Sequence, residues 1–477
     1  MKDIEGYYLP PDFSYPKMDF SSRVYRLGDA SVRVKTPIVS PDMLNSLLVR
    51  LKENREKYLV RMPIERIIGV LNQASLRWLD RDYANRRLAL EVIPVITGFS
   101  TEAVEASIDI EMESSLSDDM WSALRSEIGN PVYLDDFQYS EELRGYRRAF
   151  GPRLVVSFFS ENIPALPHLL FMRASLVKAA CLGKVASGEP AFAALYCRTI
   201  EDIDPEMAAS MAVLYWQGGD EEVEDAAFGH ADAVVAFGSV ETCALLAKRV
   251  PGNIKTLIHG HKIGFGIIGK DRMTLADAEA LSLKVAYDHA MFDQKACLAP
   301  QVYFVERGGE VSPMEFSLLV SNAMAFYEEK IPRGKVSAGE AALIHQMRAR
   351  YKIRELGGGD CRMFASSGGT AWTVVYEKAP AVLSPSALNR FVRIWAVDDI
   401  FETLDILRPV GPFLQNAAVA VGDKQEWELI TRLGELGVSR ITSPGSMPTP
   451  SMMWRHDGIA TLASLLRWCD IEKKEGV

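Results

Sequence analysis

One cysteine, at a predicted junction between a loop and a strand, is best suited to covalent chemistry. Cys297 follows the polar segment Asp293-Gln294-Lys295 and precedes an apolar strand, 302–305. A thiol there can face a cleft, whereas a core cysteine usually lies within an apolar period. The segment 293–295 is predicted to make the approach polar, and nearby amides or cations would stabilise a thiolate. Cys297 is therefore the candidate nucleophile, and burial as a small hydrophobic residue is the alternative.

A second stretch has the residue types of an anion site. Gly238 and Ser239 join a predicted strand, 233–237, to a predicted helix, 239–248. Glycine lets a ligand approach the backbone, and free N–H groups at the start of a helix favour an anion such as a pyrophosphate. Both residues are therefore candidate cofactor contacts. The alternative is that Ser239 is simply the N-cap of the helix.

Composition narrows the class of protein. Of 477 residues, 48% are hydrophobic and 24% are charged, which is typical of a soluble globular protein. The net charge of -10 arises from 63 acidic and 53 basic residues without a long basic block, so nucleic acid is not an expected partner. The spacing of the six cysteines predicts reduced thiols in the cytoplasm and no metal site. No apolar run has the length of a membrane span or a signal peptide.

Apolar periodicity predicts the elements that position these residues. Residues 1–40 read as an irregular lead-in with short strands, and helical spacing follows from 41 to about 130. An almost wholly apolar strand at 154–159 precedes a predicted helix, 163–180, and the stretch 208–215 is open between helix and strand.

Repeated alternation of strand and helix indicates a doubly wound α/β domain over 131–265, with the helical region 1–130 packed on it. A second α/β domain is predicted for 266–440. The strand at 440–442 and a helix over 458–472 are expected in a C-terminal segment, 441–477, that returns to the first domain.

Several motifs occur together in a recognisable order. They are Phe158–Pro164, Gly183–Ala186, Phe237–Ser239 and Asp293–Cys297. Their order and spacing resemble those of the aldehyde dehydrogenase superfamily. His259–Gly266 and Trp454–Gly458 are similar to stretches of its acyl-CoA reductases, which include the fatty-acid reductase subunit of bacterial bioluminescence. The resemblance covers about 150–470 and implies a Rossmann-like cofactor domain, a second α/β catalytic domain and an active site between them.

The resemblance implies roles for particular residues. Cys297 would attack a thioester carbonyl and hold the acyl group, while Asn162 would donate to the developing oxyanion. Asn162 as the cap of the predicted helix at 163 is the alternative. Lys184 would reach the adenosine ribose or its phosphate, unless it is a solvated surface lysine. Ser187 stands where many NAD-using relatives carry a glutamate, which favours NADPH over NADH.

Departures from the superfamily pattern suggest the direction of the reaction. Ile258 stands where oxidising members place the glutamate that activates water, so transfer of the acyl group to water should be slow and reduction is favoured. His259 or His261 is a candidate proton donor, and the alternative is hydrogen bonding within the turn. Of the motif that holds the nicotinamide ribose, only Phe391 remains, and it could equally be a core residue. His456 is a candidate residue of the cleft mouth, or part of a polar turn.

The function implied is NADPH-dependent reduction of an acyl-CoA, of fatty acyl type, or of another acyl thioester, to an aldehyde. A cysteine acyltransferase or thioesterase and a non-enzymatic cofactor-binding subunit are the rival interpretations. An acyl-activating enzyme is the partner that the resemblance suggests. Superfamily members usually form homo-oligomers through a hairpin arm and the C-terminal tail, but 137–147 is too charged and irregular to predict an arm.

Overall fold

A computed structural model describes residues 1–378 and 382–472. The described residues form two compact units. The first comprises Met1–Thr97, Val104–Gly260 and the described part of the segment from Ser451, and the second comprises Gly98–Ala103 and His261–Pro450.

The chain up to residue 260 contains ten strands and ten helices, all within its described range. The strands are β1 (Lys2–Glu5), β2 (Phe20–Leu27), β3 (Ala30–Pro37), β4 (Gln138–Ser140), β5 (Gly145–Phe150), β6 (Leu154–Phe158), β7 (Ala180–Lys184), β8 (Met211–Leu214), β9 (Ala233–Phe237) and β10 (Lys255–His259). The helices are α1 (Pro41–Asn54), α2 (Ile64–Leu79), α3 (Ala84–Thr97), α4 (Thr101–Glu113), α5 (Ser117–Ile128), α6 (Pro167–Leu176), α7 (Phe192–Ile203), α8 (Pro205–Ala208), α9 (Glu221–His230) and α10 (Val240–Arg249).

A parallel sheet of five described strands is the centre of the first unit. Its strand order is β10-β9-β6-β7-β8, and every neighbouring pair is parallel. The strands are almost wholly apolar, as expected for a sheet covered on both faces, and Leu44, Leu47 and Leu48 of α1 join its core. Because the order reverses between β6 and β9, the ligand-binding crevice of such a sheet is expected at their carboxyl ends.

The predicted single helix over 163–180 is wrong. Helix α6 begins only at Pro167, since Ala165 has a left-handed φ of 70°. It ends at Leu176, and the apolar residues from Ala180 form β7 instead. A short buried strand and a buried helix have the same apolar character, so periodicity could not separate them. The stretch left open at 208–215 contains a strand, β8.

The lead-in before α1 forms a small sheet. Its strand order is β1-β3-β2, in which β1 and β3 are parallel and β2 and β3 form a hairpin. Tyr8 pairs with Val213 of β8 through two backbone hydrogen bonds of 3.0 and 2.8 Å. The first residues of the chain are therefore joined to the edge of the parallel sheet.

The second unit contains strands β11–β17 and helices α11–α15 among its described residues. They are β11 (Ile263–Ile268), α11 (Ala278–Ala290), β12 (Pro300–Glu306), α12 (Pro313–Lys330), α13 (Ala338–Leu356), β13 (Cys361–Ala365), β14 (Thr373–Glu377), β15 (Phe391–Val397), α14 (Glu402–Leu407), β16 (Leu414–Ala420), α15 (Asp423–Glu435) and β17 (Arg440–Thr442). They form one sheet of order β13-β14-β15-β12-β11-β16-β17, parallel except for β13.

The strand pairing of this sheet gives the second unit different limits from those predicted. Strand β11 pairs with β12 and β16, so the second unit begins at His261 and not at 266. Strand β17 pairs with β16, so the strand expected to return to the first domain remains in the second unit, which extends to Pro450.

The chain ends in a strand where the sequence predicted a helix over 458–472. Strand β18 (Arg467–Glu472) pairs with β5, and β5 pairs with β4, which gives an antiparallel sheet of three described strands. Strand β18 is stabilised across the pair by Arg147 and Asp470, 3.0 Å apart. A hairpin, which 137–147 was too charged and irregular to predict, is therefore present, because these charges are paired or exposed.

Single turns of 3-10 or π type complete the described structure. They are Arg55–Leu59, Pro131–Leu134, Lys270–Arg272, Met291–Gln294, Arg408–Phe413, His456–Gly458 and Ala463–Leu465. Among the described residues, no helix is both long and apolar enough to cross a membrane.

Candidate active site

Five predicted site residues of the first unit lie at one edge of its parallel sheet. Asn162 follows β6, Lys184 ends β7, Gly238 and Ser239 follow β9, and His259 ends β10. The carboxyl ends of parallel strands meet at the same edge, and this one includes the point where the strand order reverses. The fold therefore brings these residues together on the side where such sheets bind ligands.

Two helices, α4 and α6, hold the loop that carries Asn162 through hydrogen bonds. Ser107 of α4 donates its hydroxyl proton to the Pro164 carbonyl, and the His168 Nδ1 atom of α6 lies 2.8 Å from the Ala165 carbonyl. The N-cap of α6 is Leu166, without a side-chain cap, so Asn162 does not cap this helix. Asn162 is half-buried.

Buried polar groups support this anchor. The His168 Nε2 atom lies 2.8 Å from the Ser115 hydroxyl, and the Glu111 carboxylate lies 3.8 Å from the His168 ring. Burial raises the pKa of Glu111 to about 7, against the lowering effect of Arg173. Burial also lowers the pKa of His168 to about 4, so this imidazole is neutral at pH 7.

Lys184 is half-buried, which rules out a freely solvated surface lysine. Its Nζ atom lies 5.9 Å from the centroid of the Tyr215 ring. Burial lowers the pKa of Lys184, while Glu224 and Glu161 raise it. Ser187 is exposed, and its carbonyl accepts a hydrogen bond of 2.6 Å from the Tyr25 hydroxyl.

Ser239 caps α10, as the simpler interpretation of the sequence held. Its hydroxyl accepts a hydrogen bond of 3.2 Å from the Thr242 N–H. The Gly238 N–H donates to the His259 carbonyl over 3.2 Å, and a Cβ atom at Gly238 would lie 3.2 Å from the Thr242 side chain. The cap does not exclude a pyrophosphate at the exposed start of α10, which stays a prediction.

An imidazole–carboxylate pair, which we call the His259–Asp457 dyad, lies at the end of β10. His259 Nδ1 is 2.7 Å from the Asp457 carboxylate. The His259 side chain is 4% exposed, and its Nε2 atom has no hydrogen-bond partner among the described residues. An ionised carboxylate only accepts, so Nδ1 carries a proton, and in the neutral imidazole Nε2 is then the acceptor. This arrangement can accept and return a proton.

Aromatic rings enclose the dyad. Phe237 stacks on His259 with ring centroids 4.8 Å apart, and the His456 ring lies 4.2 Å from that of His259. Trp454 stacks on His456 at 4.6 Å. Asp457 itself has a left-handed φ of 54°, a conformation uncommon for a residue other than glycine. His456 thus lies within a turn, as one interpretation of the sequence held, but as part of a buried cluster.

The same cluster has the composition of a metal site. Ligand atoms of His259, His456 and Asp457 lie within 4.8 Å of one another. However, the Nδ1–carboxylate distance of 2.7 Å is that of a hydrogen bond. Two ligands of one tetrahedral zinc ion would be roughly 3.3 Å apart, given bonds of about 2.0–2.1 Å. The geometry therefore fits a shared proton better than a shared metal ion. His261, the other candidate histidine, is exposed.

In the second unit, Cys297 follows a turn of unusual backbone. Phe292, Asp293 and Gln294 all have left-handed φ angles, of 53°, 52° and 61°. Each costs about 1–2 kcal/mol for an L-residue, so other contacts must offset the strain. Cys297 follows this turn and is partly exposed. The carbonyl of the next residue, Leu298, accepts a hydrogen bond of 2.9 Å from the Asn416 side chain.

A second left-handed turn, Leu388–Arg390, supplies those contacts. The Arg390 guanidinium pairs with Asp293 at 2.8 Å. The Gln294 side chain accepts from the Phe391 N–H at 2.9 Å and donates to the Pro300 carbonyl at 2.8 Å. We call this arrangement the paired turns. Asp293 and Gln294 are buried. The prediction that 293–295 lines a polar approach to Cys297 is therefore wrong for these two side chains, which stabilise the loop through buried contacts.

Lys295 is partly exposed and forms an ion pair with Glu340. Their Nζ and carboxylate atoms lie 2.9 Å apart. Partial burial raises the pKa of Glu340, but hydrogen bonds from Ser337 and the pairing with Lys295 outweigh it and lower the pKa to about 2. Glu340 belongs to the capping box of α13 with Ser337, so the start of that helix fixes the position of Lys295.

Phe391 is a core residue. Its side chain is 1% exposed and packs beside Tyr351, with ring centroids 6.0 Å apart. Its N–H, which binds Gln294, links it to the cysteine loop. The ring is thus occupied with packing, the alternative that the sequence left open.

Comparison with known proteins decides the family. Residues 59–468 match the family described as acyl-CoA reductase (LuxC). The chain belongs to this family. It is 25% identical over 474 residues to a long-chain acyl-protein thioester reductase of Photorhabdus luminescens, covering 96% of this chain and 91% of the relative. A reductase of the same name from Vibrio harveyi is 24% identical over 445 residues, covering 91% and 88%.

Solved structures show the same fold. Aldehyde dehydrogenase 21 from Physcomitrella patens superposes with a TM-score of 0.74 at 11% identity, covering 100% of this chain and 99% of that one. An NAD-dependent benzaldehyde dehydrogenase from Corynebacterium glutamicum gives 0.66 at 14% identity, covering 95% of each. The α/β, aldehyde-dehydrogenase-like fold and the resemblance inferred from the motifs are therefore confirmed.

Two polar residues of the site were missed by sequence reasoning. Asp457 lies beside His456 in the motif Trp454–Gly458, and this position was a usable signal. Arg390 gave no signal, because its pairing with Asp293 joins positions 97 residues apart.

Proposed function

We propose that the chain reduces an acyl thioester to an aldehyde through an acyl intermediate on Cys297, with NADPH preferred to NADH. Family membership and three relatives named long-chain acyl-protein thioester reductases support the reaction class. The observation that carries the proposal is the paired turns, 292–294 and 388–390, which anchor the loop of a partly exposed thiol ahead of a strand. A covalent nucleophile needs a thiol that is fixed and accessible.

In the first step, the Cys297 sulfur bonds to the thioester carbonyl carbon, and the bond from that carbon to the thiol carrier breaks. His259 Nε2 takes the Cys297 proton and returns it to the leaving sulfur, so the step is neutral in protons. The Asn162 amide and the Cys297 N–H donate to the carbonyl oxygen as negative charge develops there. Asp457 stabilises the transient imidazolium.

The second step consumes a hydride, which the nicotinamide supplies when it is bound. The acyl carbon is reduced to a thiohemiacetal on Cys297, whose oxyanion again receives the Asn162 hydrogen bond. Its C=O bond then re-forms as the C–S bond breaks, which releases the aldehyde and the Cys297 thiolate. One proton from solvent restores the thiol and completes the balance.

The edge of the first sheet fits a dinucleotide. Strand order reverses there, Gly238 lies at the start of α10, and Lys184 is half-buried beside a tyrosine ring. Ser187, at the position of a glutamate in many NAD-using relatives, presents no carboxylate to repel a 2′-phosphate. These features support the preference for NADPH. Ile258, in place of a water-activating glutamate, supports a slow loss of the acyl group to water.

Intact-protein mass spectrometry tests the intermediate. With tetradecanoyl-CoA and no NADPH, the unchanged protein and Cys469→Ala should gain the mass of one acyl group, and Cys297→Ala should gain none. Cys469 is the matched control because it too is partly exposed. NADPH should then clear the adduct with release of an equal amount of aldehyde.

Other outcomes would assign a different function. Release of many thiols per chain without NADPH oxidation would indicate an acyltransferase or thioesterase, since acylation of Cys297 alone releases only one. NADPH binding without any adduct would indicate a non-enzymatic cofactor-binding subunit. Full reductase activity of Cys297→Ala would exclude the proposed nucleophile.

The thioester donor is the finer part of the proposal. We favour two donors in the cytoplasm: a fatty acyl-CoA, or the same acyl group carried on an acyl-activating enzyme. The names of the relatives, which refer to acyl-protein substrates, support the second donor. Comparing acylation rates of Cys297 from the CoA ester and from an acyl-protein thioester of equal chain length separates the two donors.

A further inference from the structure

A cavity lies between the N-terminal hairpin β2–β3 and the segments that follow β7 and β8. Its volume is about 180 Å³, and its lining includes Ser21, Arg23 and Thr36 of the hairpin together with Pro190 and Tyr215. All of these residues belong to the first unit. The hairpin is the part of the chain for which the sequence suggested no role.

The hairpin is attached to the segment that carries the predicted ribose contacts. Tyr25 donates to the Ser187 carbonyl over 2.6 Å. Arg23 donates to the Tyr215 hydroxyl over 3.3 Å, and its guanidinium lies 5.3 Å from the centroid of that ring. Lys184 approaches the same ring, at 5.9 Å. The Tyr215 ring therefore lies near two cations, Arg23 of the hairpin and Lys184 at the end of β7.

Neither Arg23 nor Lys184 forms an ion pair with a carboxylate of the described residues. Within the described residues, no carboxylate lies within ion-pair distance, 4.0 Å, of Arg23 or Lys184, although Glu161 and Glu224 act on Lys184 from further away. The cavity lining adds hydroxyl groups from Ser21, Thr36 and Tyr215. Guanidinium, ammonium and hydroxyl donors are the groups that bind phosphate, and arginine suits it especially because of its fork of donors.

We infer that the hairpin β2–β3 completes a binding site for the ribose phosphate of a phosphorylated adenosine, with Arg23 as the ligand of the phosphate. The inference rests on the proposed function, in which Lys184 and Ser187 contact the adenosine ribose. Two sources share this chemistry: the 2′-phosphate of NADPH and the 3′-phosphate of coenzyme A. Arg23 is thereby a specificity-determining residue supplied by a segment outside the parallel sheet.

Calorimetric titration of the full chain with three nucleotides tests the site without catalysis. The probes are 2′,5′-ADP, 3′,5′-ADP and 5′-ADP. Arg23→Gln should weaken binding of 2′,5′-ADP by about 10- to 100-fold, as for loss of a hydrogen bond to a charged group, and leave 5′-ADP unchanged. Arg26→Gln, also exposed on β2 but absent from the cavity lining, should change neither. Arg23→Lys should restore part of the loss.

The other outcomes are equally definite. A loss confined to 3′,5′-ADP would support the phosphate site and assign it to coenzyme A. Equal weakening of all three nucleotides would show that Arg23 only supports the hairpin, and unchanged binding of all three would also overturn the inference. Acylation of Cys297 by an acyl-protein thioester, followed by mass, involves no adenosine phosphate, so failure of the proposed function would be seen separately.

Discussion

At the scale of single residues, the Asp457 carboxylate determines what His259 can do. It holds a proton on Nδ1, so the buried Nε2 atom is the acceptor when the imidazole is neutral. An asparagine at position 457 would fit the left-handed backbone equally well, but its amide could donate to Nδ1 and leave the proton on Nε2. Aspartate and asparagine at position 457 therefore have nearly the same shape but leave the proton on different nitrogens of His259.

We expect Asp457→Asn to slow the acylation of Cys297 by about 10²- to 10⁴-fold, the usual contribution of general acid–base catalysis. Asp457→Glu, which keeps a carboxylate, should recover part of the rate. Stopped-flow measurement of thiol release gives both values, with Asp225→Asn as an exposed control. Equal rates for Asp457→Asn and the unchanged protein would exclude a proton-transfer role for the dyad.

Glu111 should make stability depend on pH. Its folded pKa of about 7 lies above the unfolded value, so its contribution is fully present below about pH 4.3 and is lost as pH rises through about 7. The loss amounts to about 4 kcal/mol at most. Glu111→Gln should therefore raise the Tm at pH 8 and have less effect at pH 5, as measured by calorimetry. An equal Tm difference at both pH values would contradict this assignment.

The sequence made Cys297, Asn162, Lys184 and His259 candidate site residues because each lies in a short local motif. Their surroundings could not be read in the same way. The ion pair of Asp293 with Arg390 and the hydrogen bond of His259 with Asp457 join distant parts of the chain, and a single sequence contains no signal of such pairing.

At the scale of elements, the paired turns are the feature on which the cysteine loop depends. Six residues in left-handed conformation, 292–294 and 388–390, face each other through one buried ion pair and the hydrogen bonds of Gln294. Such strain persists only where the surrounding contacts over-determine the backbone. Weakening one contact should therefore affect both stability and the position of Cys297.

We expect Asp293→Asn to destabilise the protein by about 3 kcal/mol, because among the described residues it leaves the buried Arg390 with Glu328 as its one ionic partner. Acylation of Cys297 should also slow by about 10-fold or more, since a misplaced nucleophile loses alignment. Thermal unfolding and adduct formation are the measurements. Asp405→Asn removes an exposed pair with Arg408 and should change stability by less than about 1 kcal/mol. Unaltered unfolding of Asp293→Asn would show that the turns do not depend on the pair.

Elements with strong end signals were predictable from the sequence. Helices α12 and α13 begin at Ser312 and Ser337, each with a glutamate three residues on, and both capping boxes are present. Strands β7 and β18 were missed for different reasons. The first is a short apolar run, which periodicity cannot tell from a helix, and the second is largely exposed and is defined by its pairing with β5.

At the scale of the whole molecule, the sheet β18-β5-β4 ends in two strand edges among the described residues. Strand β18 carries Trp468 and Ile471, the latter 45% exposed. An edge strand with exposed apolar side chains can pair with another chain unless it is protected. This supports the homo-oligomer expected from the resemblance, assembled through the sheet that contains the hairpin and the C-terminal strand.

We expect light scattering with size-exclusion chromatography to show a homo-oligomer. Ile471→Lys should weaken it by about 10- to 100-fold in Kd, the equivalent of one buried aliphatic side chain. Leu275→Lys, an exposed site outside this sheet, is the matched control. A monomer at all concentrations, or an oligomer indifferent to Ile471→Lys, would refute this assembly.

The His259–Asp457 dyad joins residues 198 positions apart. During synthesis on a ribosome, the parallel sheet, with the edge proposed to bind nucleotide, can form long before Asp457 emerges. His259 would meanwhile lack the carboxylate that sets its tautomer. A growing chain should thus bind nucleotide earlier than it accepts acyl groups efficiently, so unfinished chains would withdraw little acyl donor from the cell.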